Sequence, residues 1–249
     1  MTTSPRIELN NVTVDFPVFN AVNMSLKNRV ISAATGGVLG VHDGLVVVRS
    51  LQNITLRIES GEKVGLVGPN GSGKTTLLRV ISSIYHPTGG NVVVEGECIS
   101  LINIGLGIDP EATGRENIRL RSAMMGLTPA QTRARIDEII SFSGLGDFIN
   151  MPVRTYSSGM QLRLAFAVST CICPQILVMD EWLSTGDIDF KERAEKRMND
   201  IVTSTKILIL ASHSRELLVR NCTRLIWLDH GEVVMDGSVL EVAKQYFGH

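Results

Sequence analysis

Two adjacent carboxylates stand at the end of an apolar run in this chain. Residues 175–179 read QILVM and lead directly into Asp180 and Glu181. Like charges side by side repel each other, and burying them costs free energy, so a solvated strand end is the simplest explanation of the pair. The alternative is a metal ligand beside a general base. Residues elsewhere in the chain favour that alternative.

A glycine-rich loop supplies residues that bind phosphate. Residues 62–68 (EKVGLVG) have the apolar character of a short buried strand, and residues 77–85 (LLRVISSIY) have helical spacing. The segment between them fits G-x-x-x-x-G-K-[ST], in which backbone N–H groups and a helix N-terminus surround phosphate oxygens. Its residues are Gly68, Pro69, Asn70, Gly71, Ser72, Gly73, Lys74, Thr75 and Thr76. The sequence therefore predicts a nucleotide-binding site.

This loop gives the two carboxylates a role. In enzymes with such a loop the lysine reaches the β- and γ-phosphates and the next hydroxyl ligates Mg²⁺, which assigns these roles to Lys74 and Thr75. A second strand then ends in an acid that holds Mg²⁺ through water, and residues 176–180 (ILVMD) predict that strand with Asp180 as the acid. Glu181 would lie near an attacking water and could polarise it or accept its proton. We therefore expect a nucleotide and Mg²⁺ at this site.

A second turn with phosphate-binding character lies at TYSSGMQLRLAFA, residues 155–167. Ser157, Ser158 and Gly159 precede an apolar-periodic helix, and helix N-termini bind anions. One chain already has its phosphate loop, so this turn would be useful to a second copy of the protein. Simple N-capping by Ser157 or Ser158 explains the same residues. The two interpretations stay open at this point.

Hydrophobic patterning predicts the elements that position these residues. Strands over 7–16, 47–58 and 92–103 are expected to form a mixed, partly antiparallel sheet. A nucleotide-binding core is expected from strands over 62–68, 175–180 and 206–212, followed by RLIWLD and EVVMDG. From about 111 to 160 the chain is predicted to be helical. Within this segment Thr128–Gln131 fits a capping box with a proline at the first helical position.

Composition and charge narrow the class of protein. The 249 residues suffice for one domain with subdomains and a sizeable core. Lys plus Arg is 24 and Asp plus Glu is 25, a balance that gives no bulk attraction to nucleic acid. No run reaches the ~18 apolar residues that would span a bilayer, and the start of the chain, MTTSPRIE, lacks a signal-peptide pattern. A cytosolic protein is expected, with all four cysteines as small core residues.

Four ordered motifs identify the chain as similar to a known family. GPNGSGKTT, YSSGM, ILVMDE and LASH follow one another in the order and rough spacing of the ATPases of ABC transporters, and the resemblance covers nearly the whole chain. It implies an α/β fold of the P-loop NTPase class with a RecA-like core, an antiparallel β subdomain and a helical subdomain. It also implies a single ATPase domain over 1–249, whose helical subdomain docks on a transport subunit.

The same resemblance implies roles for individual residues. Gly68–Thr76 resembles the Walker A loop, and Asp180 and Glu181 resemble the Walker B aspartate and the catalytic glutamate. Tyr156–Met160 looks like the signature motif, so that Ser157 and Gly159 would face the γ-phosphate across a dimer. Two further positions are implied as well, Asp187 as the end of the D-loop and His213 as the switch histidine that senses the γ-phosphate.

Phe16 is a separate candidate for binding the base. In the family an aromatic residue just after the first strand stacks on adenine, and NNVTVDF resembles that site. Aromatic faces suit bases in general. A lone Phe at a strand end is, however, usually a core residue. We predict stacking, with a core position as the alternative.

Two positions depart from the family pattern. No glutamine occurs from 53 to 130, where the family has one between Walker A and the signature, and the equivalent position falls near Asn103–Asp109. The D-loop reads STGD over Ser184–Asp187, where the family commonly has Ser-Ala-Leu-Asp. Together with LGIDPEATGRENI, TYSSGM and DEWLSTGD, these features resemble the ATPases that export lipid-linked polysaccharides such as O-antigen, galactan, capsule or teichoic acid.

An insertion over roughly 17–46 supports the same subfamily. Its apolar residues Phe19, Val22, Leu26 and Val30 share one helical face. A short helix of this kind could lie on a membrane surface, pack on a partner or pack on its own domain.

The predicted function is an ATP-binding and ATP-hydrolysing subunit of a polysaccharide exporter. Two copies would sandwich two ATP molecules and drive a separate transmembrane permease subunit from the cytoplasmic face of the inner membrane, as a peripheral protein. No nucleic-acid partner is expected, and the chain has no room for the C-terminal carbohydrate-binding domain of some relatives. Two alternatives stay open: an ABC ATPase for a lipid or drug, and a soluble P-loop kinase or regulatory nucleotide-binding module. YSSGM disfavours the second.

Overall fold

The computed structural model describes residues 4–18, 38–42, 45–102, 104–105, 107–181 and 188–248. These residues form two compact units. The first unit contains the described residues up to Ser100, those of 175–181 and those from Lys206 onward. The second contains the described residues of 101–174 and 188–205.

The first unit contains a four-stranded antiparallel sheet. Its strands in spatial order are β2 (Val38–His42), β3 (Leu45–Glu59), β1 (Arg6–Pro17) and β5 (Gly89–Glu95). Along β1 the buried residues alternate as Ile7 and Leu9, then Val12 and Val14. The three-residue step in the middle is a register shift in which Asn11 adopts a positive φ of 51°. This bulge keeps both apolar pairs on the same face of the sheet.

The first unit also contains a six-stranded sheet that carries the predicted site. Its strands in spatial order are β10 (Glu232–Ser238), β9 (Arg224–Asp229), β4 (Lys63–Val67), β8 (Ile207–Ala211), β7 (Ile176–Asp180) and β6 (Cys98–Ser100). All adjacent pairs are parallel except β9 and β10, which are antiparallel. Every residue of β8 is buried, as expected for a parallel strand covered on both faces. Because β4, β8 and β7 are parallel, their carboxyl ends meet at one edge of the sheet, where such sheets bind ligands.

The prediction of one strand over 92–103 is wrong. The chain forms β5, which pairs with β1, and then β6, which pairs with β7 in the other sheet. The change of sheet occurs at Gly96, whose φ is +121° and whose added Cβ would lie 2.8 Å from Pro5 Cβ. A continuous apolar pattern does not reveal such a turn. The sheet predicted to be of mixed strand direction is antiparallel throughout. Parallel and antiparallel pairs occur together in the six-stranded sheet instead.

The described residues of the first unit also include three helices. They are α1 (Lys74–Ile81), α6 (Arg215–Asn221) and α7 (Val239–Phe247). Serine caps begin α6 and α7, where Ser214 accepts a hydrogen bond from Leu217 N and Ser238 accepts one from Glu241 N.

The second unit is helical. Its helices are α2 (Gly114–Met124), α3 (Pro129–Ser143), α4 (Ser158–Ser169) and α5 (Ile188–Ser204), with two 3-10 helices at Gly146–Asn150 and Val153–Thr155. The predicted capping box at Thr128 is present, with Gln131 as its partner and Pro129 at the first helical position. A second box, Thr113 with Glu116, begins α2 and was not predicted. Ile118, Ile139 and Leu164 belong to the buried core that these helices share.

The cysteines do not all occupy the core. Cys222 is buried and Cys98 and Cys171 are partly buried, but Cys173 is exposed, so the prediction of four core cysteines is wrong at that position. All four are free thiols. Burial raises the pKa of Cys98 to about 11 and that of Cys222 to about 12.

Several predictions fall outside the described residues. These are the apolar stripe of the insertion from Phe19 to Val30, Asn103, and the D-loop residues Ser184–Asp187. The structure describes β2 near the end of the insertion, paired with β3. None of the helices in the part of the chain that the structure describes is long and apolar enough to cross a membrane.

Candidate nucleotide-binding site

The phosphate loop joins β4 to α1, as predicted. Gly68, Gly71 and Gly73 adopt positive φ angles of 151°, 79° and 103°. A Cβ at Gly68 would lie 2.1 Å from Leu228 O, and one at Gly73 would lie 2.6 Å from Ser50 O. Glycine is thus required at these two positions, both for the backbone conformation and for the close approach of other backbone atoms of the protein. The result is a loop of backbone N–H groups ahead of a helix N-terminus.

Lys74 begins α1 and folds back over this loop. Its Nζ donates hydrogen bonds to Gly68 O at 2.7 Å and to Pro69 O at 2.9 Å. The side chain is only 8% exposed, and burial lowers the pKa of Lys74, against the opposite effect of Asp180 and Glu181. The Lys74 ammonium group is therefore held at the loop. Its present acceptors are two backbone carbonyl oxygens, and phosphate oxygens could take their place.

Thr75 and Asp180 meet although 105 residues separate them. Thr75 Oγ1, in the first turn of α1, donates a hydrogen bond of 2.7 Å to Asp180 Oδ2 at the end of β7. One hydroxyl and one carboxylate at a phosphate loop are the hard oxygen donors that Mg²⁺ takes together with substrate phosphates. The two residues fit the predicted metal site.

Glu181 is oriented by residues at the end of β8. Its φ is +66°, and its N–H donates to Ala211 O at 2.9 Å. Its carboxylate accepts hydrogen bonds from Ser212 Oγ at 3.1 Å and from His213 N at 3.2 Å. The His213 Nε2 atom lies 4.0 Å from Glu181 Oε1. The Glu181 side chain is 52% exposed, so its carboxylate can reach a water molecule.

One cleft of about 370 Å³ brings most of the predicted residues together. Its lining consists of Ser50, Asn70, Gly71, Gly73, Lys74, Thr75, Thr76, Asp180, Glu181 and His213. Gly68, Pro69, Ser72 and Phe16 do not line it. The three loop residues of that group instead shape the backbone. Gly68 and Pro69 accept from Lys74, and Ser72 O accepts from Gly231 N at 3.0 Å.

Sequence reasoning missed three polar residues around these motifs. Ser50 lines the cleft, with its Oγ 2.7 Å from Thr76 Oγ1. It belongs to no motif and comes from a strand of the other sheet. Ser212 is 1% exposed and donates to Glu181, and its place in LASH beside His213 was an available signal. Asn117 is 1% exposed and binds both the N–H and the carbonyl of Asp109, near the position of the absent glutamine.

Phe16 lies near the end of β1, opposite Val48 of β3. It is half-buried and does not belong to the buried core. Its ring packs against Tyr85 with a centroid separation of 5.5 Å and an interplanar angle of 70°. Stacking of Phe16 on adenine stays a prediction.

The serine pair lies in the second unit. Ser157 caps α4, with its Oγ accepting from Met160 N at 3.2 Å. Ser158 and Gly159 are exposed in the first turn of the helix, while Tyr156 is buried and donates to Phe148 O at 2.5 Å. The capping interpretation is thus confirmed for Ser157. The role toward a second copy stays a prediction for all three residues.

Comparison with known proteins gives one family. The family described as ABC transporter matches residues 51–184. An O-antigen export system ATP-binding protein of Yersinia enterocolitica is 45% identical over 89% of this chain and 93% of its own length. An O-antigen export ATP-binding protein of Myxococcus xanthus is 44% identical over 80% of this chain, and a teichoic acids export ATP-binding protein of Listeria innocua is 43% identical over 79%. The chain spans only 46% and 58% of those two proteins, about half of each.

Solved structures agree on the fold. A dimeric ATP-binding cassette in a post-hydrolysis state with ADP and Pi has a TM-score of 0.66 and 22% identity, covering 94% of this chain and 98% of its own. An ATP-binding subunit of an ABC transporter has a TM-score of 0.69 and 20% identity, covering 97% and 93%. These similarities confirm the predicted fold class.

Proposed function

The chain belongs to the ABC transporter family as one of its ATP-hydrolysing subunits, and we propose that it serves the export of a lipid-linked polysaccharide. The observation that carries the proposal is the 45% identity to an O-antigen export ATP-binding protein over 93% of that protein's length. Two further relatives act in O-antigen and teichoic acid export. A soluble kinase or regulatory module is not favoured by these similarities.

The cleft supports the hydrolytic part of the proposal. The loop N–H groups and Lys74 would bind the triphosphate, and Ser50 would orient the Thr76 hydroxyl toward it. Thr75 and Asp180 would hold Mg²⁺, which when bound neutralises phosphate charge. Glu181 would orient an attacking water and accept its proton, because its carboxylate is fixed by Ser212 and the His213 N–H yet reaches solvent.

A second copy and a membrane partner complete the proposed machine. Ser157, Ser158 and Gly159 would contact the γ-phosphate bound by the other copy. Support comes from the exposed position of Ser158 and Gly159 at a helix N-terminus, which suits an anion. ATP-driven closure of the two copies would then act on a transmembrane permease subunit. Peripheral attachment at the cytoplasmic face of the inner membrane follows from that partnership.

The test combines transport with hydrolysis. The gene would be deleted in cells that carry it beside a membrane-protein gene, and the strain complemented with the wild-type chain or with Glu181→Gln. We expect surface glycan to return only with the wild type, and the glycan to accumulate inside the cell otherwise. Normal surface glycan in the deletion strain, with an unrelated lipid or drug phenotype, would contradict polysaccharide export and leave the ATPase assignment intact.

A further inference from the structure

We propose that Tyr85 is a positioning residue for the nucleobase, because it fixes the Phe16 ring relative to the phosphate loop. This inference rests on the proposed ATP site and on Phe16 as the surface on which the base stacks. Tyr85 belongs to none of the motifs around the cleft. It follows α1, the helix whose first residue is Lys74.

The first observation is the contact between the two rings. Phe16 and Tyr85 are each half-buried, and they form an edge-to-face pair at 5.5 Å and 70°. In such a pair one ring presents its edge, so the two rings do not cover both faces of each other. A base needs one open aromatic face. The pair therefore holds the Phe16 ring while remaining compatible with stacking.

The second observation is that Tyr85 is bound to the phosphate-loop helix. Arg79, in the last turn of α1, donates a hydrogen bond of 2.9 Å from Nη1 to Tyr85 Oη. The Arg79 Cζ atom also lies 5.4 Å from the centroid of the Tyr85 ring. The N–H groups of Ile84 and Tyr85 both donate to Arg79 O, at 2.8 and 3.2 Å. One arginine thus holds the tyrosine through its side chain and its backbone.

The third observation is that the segment after α1 is also bound to β1, at two residues shortly before Phe16. Thr88 N donates to Thr13 O at 2.8 Å, and Thr88 Oγ1 accepts from Asp15 N at 3.1 Å. The Asp15 carboxylate accepts two hydrogen bonds from Arg49 of β3, at 2.8 and 2.9 Å. The backbone before Phe16 is fixed by these contacts. Its side chain is fixed by Tyr85.

These contacts connect the phosphate loop to Phe16, the proposed surface for the base. Lys74 and Arg79 belong to one helix, Arg79 holds Tyr85, and Tyr85 holds Phe16. A ring fixed before the nucleotide arrives loses less conformational entropy on binding. Loss of Tyr85 should therefore weaken binding of the base and leave binding of the phosphates unchanged.

The experiment compares two ligands that share phosphates but not a base. Dissociation constants for Mg-ATP and for Mg-tripolyphosphate would be measured with the wild type, Tyr85→Ala, Tyr85→Phe and Arg79→Met. For Tyr85→Ala we expect ATP affinity to fall about two- to ten-fold, the size of one aromatic pair, with tripolyphosphate affinity unchanged. Tyr85→Phe and Arg79→Met keep both aromatic rings. In these variants ATP affinity should fall by a smaller factor, again with tripolyphosphate affinity unchanged.

Two controls make the result specific. Tyr246→Ala removes a tyrosine in a similar edge-to-face pair, with Trp227 at 5.3 Å and 69°, and should change neither affinity. Phe16→Ala combined with Tyr85→Ala should bind ATP about as well as Phe16→Ala alone, since Tyr85 acts through Phe16.

Three outcomes would overturn the inference. An equal loss of ATP and tripolyphosphate affinity would show that Tyr85 supports only the phosphate loop. Full additivity of the two alanine substitutions would show that Tyr85 does not act through Phe16. Unchanged ATP affinity in Phe16→Ala, with loss of ATP affinity in Lys74→Ala, would show that the base does not stack on Phe16. The proposed ATPase function would not be affected by that result. If Tyr85→Ala does not fold, the selectivity of Tyr85→Phe and Arg79→Met decides.

Discussion

Of the two residues that contribute a carboxylate to the cleft, Glu181 is the one with a positive φ. A left-handed conformation costs a non-glycine residue roughly 1–2 kcal/mol, and Glu181 adopts one with φ +66°. The cost is offset by its hydrogen bond to Ala211 and by two bonds to its carboxylate. The backbone turn directs the side chain toward the end of β8. The two carboxylates of the cleft thus have different partners, Thr75 for Asp180 and residues at the end of β8 for Glu181.

Glu181→Gln should keep ATP binding and lose hydrolysis. The amide has nearly the shape of the carboxylate but cannot accept a proton from water, so turnover should fall about 10²–10⁴-fold. Phosphate release and nucleotide binding would be measured on the same preparation. Lys74→Ala is the contrasting variant, because it removes the cation at the phosphates and should lose binding itself. Near wild-type turnover in Glu181→Gln would contradict the assignment of the base.

At the scale of elements, the turn between β9 and β10 supports the phosphate loop from outside the motif. Gly231 N donates to Ser72 O at 3.0 Å, and Gly231 O accepts from Gln52 N at 2.8 Å. The φ of Gly231 is +81°, and an added Cβ would lie 2.7 Å from Ser50 O. The turn therefore joins the phosphate loop to β3, the strand that places Ser50 in the cleft.

Gly231→Ala should weaken both stability and ATP binding. Gly61→Ala is the matched control, because Gly61 also has a positive φ of 98° but nothing within 4 Å of an added Cβ. The control should cost about 1–2 kcal/mol from backbone strain alone. Gly231→Ala should cost roughly 1–3 kcal/mol more, through overpacking against Ser50. Chemical denaturation and ATP titration would measure both, and equal effects of the two variants would exclude a role for the turn.

Arg224 connects the two sheets of the first unit. Its guanidinium donates two bonds of 2.7 Å to Asp236 of β10, one of 2.9 Å to Glu62 and one of 2.9 Å to Arg57 O of β3. These hydrogen bonds, chiefly those to Asp236, raise the pKa of Arg224, so the cation is present at any accessible pH. A planar fork that satisfies four acceptors is a geometry that lysine cannot reproduce.

Arg224→Met should lower the free energy of unfolding by about 1–2 kcal/mol. Bonds to charged partners are worth roughly 1.5–3 kcal/mol when shielded, and partial exposure of this group reduces that figure. Arg154→Met is the control, since Arg154 and Glu111 form a pair with 60% and 76% exposed side chains and should contribute less than about 0.5 kcal/mol. Denaturant midpoints would compare them. A loss in Arg224→Met no larger than in the control would rule out this connection.

The elements show what sequence patterning can predict and where it stops. β4, the phosphate loop, α1 and β7 were predictable, because a local motif and an apolar strand each specify their own structure. The division of 92–103 between two sheets was not, because it depends on a turn at Gly96 and on distant pairing partners. Ser50 and Tyr85 were missed for the same reason. Ser50 contacts Thr76 and Tyr85 contacts Phe16 from distant parts of the sequence, and such long-range contacts leave no recognisable spacing.

At the scale of the whole molecule, the candidate residues are divided between the two units. The phosphate loop, Asp180, Glu181 and His213 belong to the first, and Ser157–Gly159 belong to the second. The proposal that the signature serves the other copy makes each ATP site a composite of two chains. In a symmetric dimer of this kind, each copy gives one half of a site and receives the other half.

Two inactive variants should therefore restore activity when they are mixed. Lys74→Ala removes the phosphate-loop cation but keeps the signature. Gly159→Asp places a carboxylate against the γ-phosphate but keeps the loop, and it should fold normally because Gly159 is exposed in the first turn of α4, where a negative charge is favourable. Random exchange makes half of the dimers mixed, each with one intact site, so ATPase activity should reach about a quarter of wild type. Each variant alone is the control. Mixed dimers that form, as shown by two affinity tags, but stay inactive would contradict a site shared between copies.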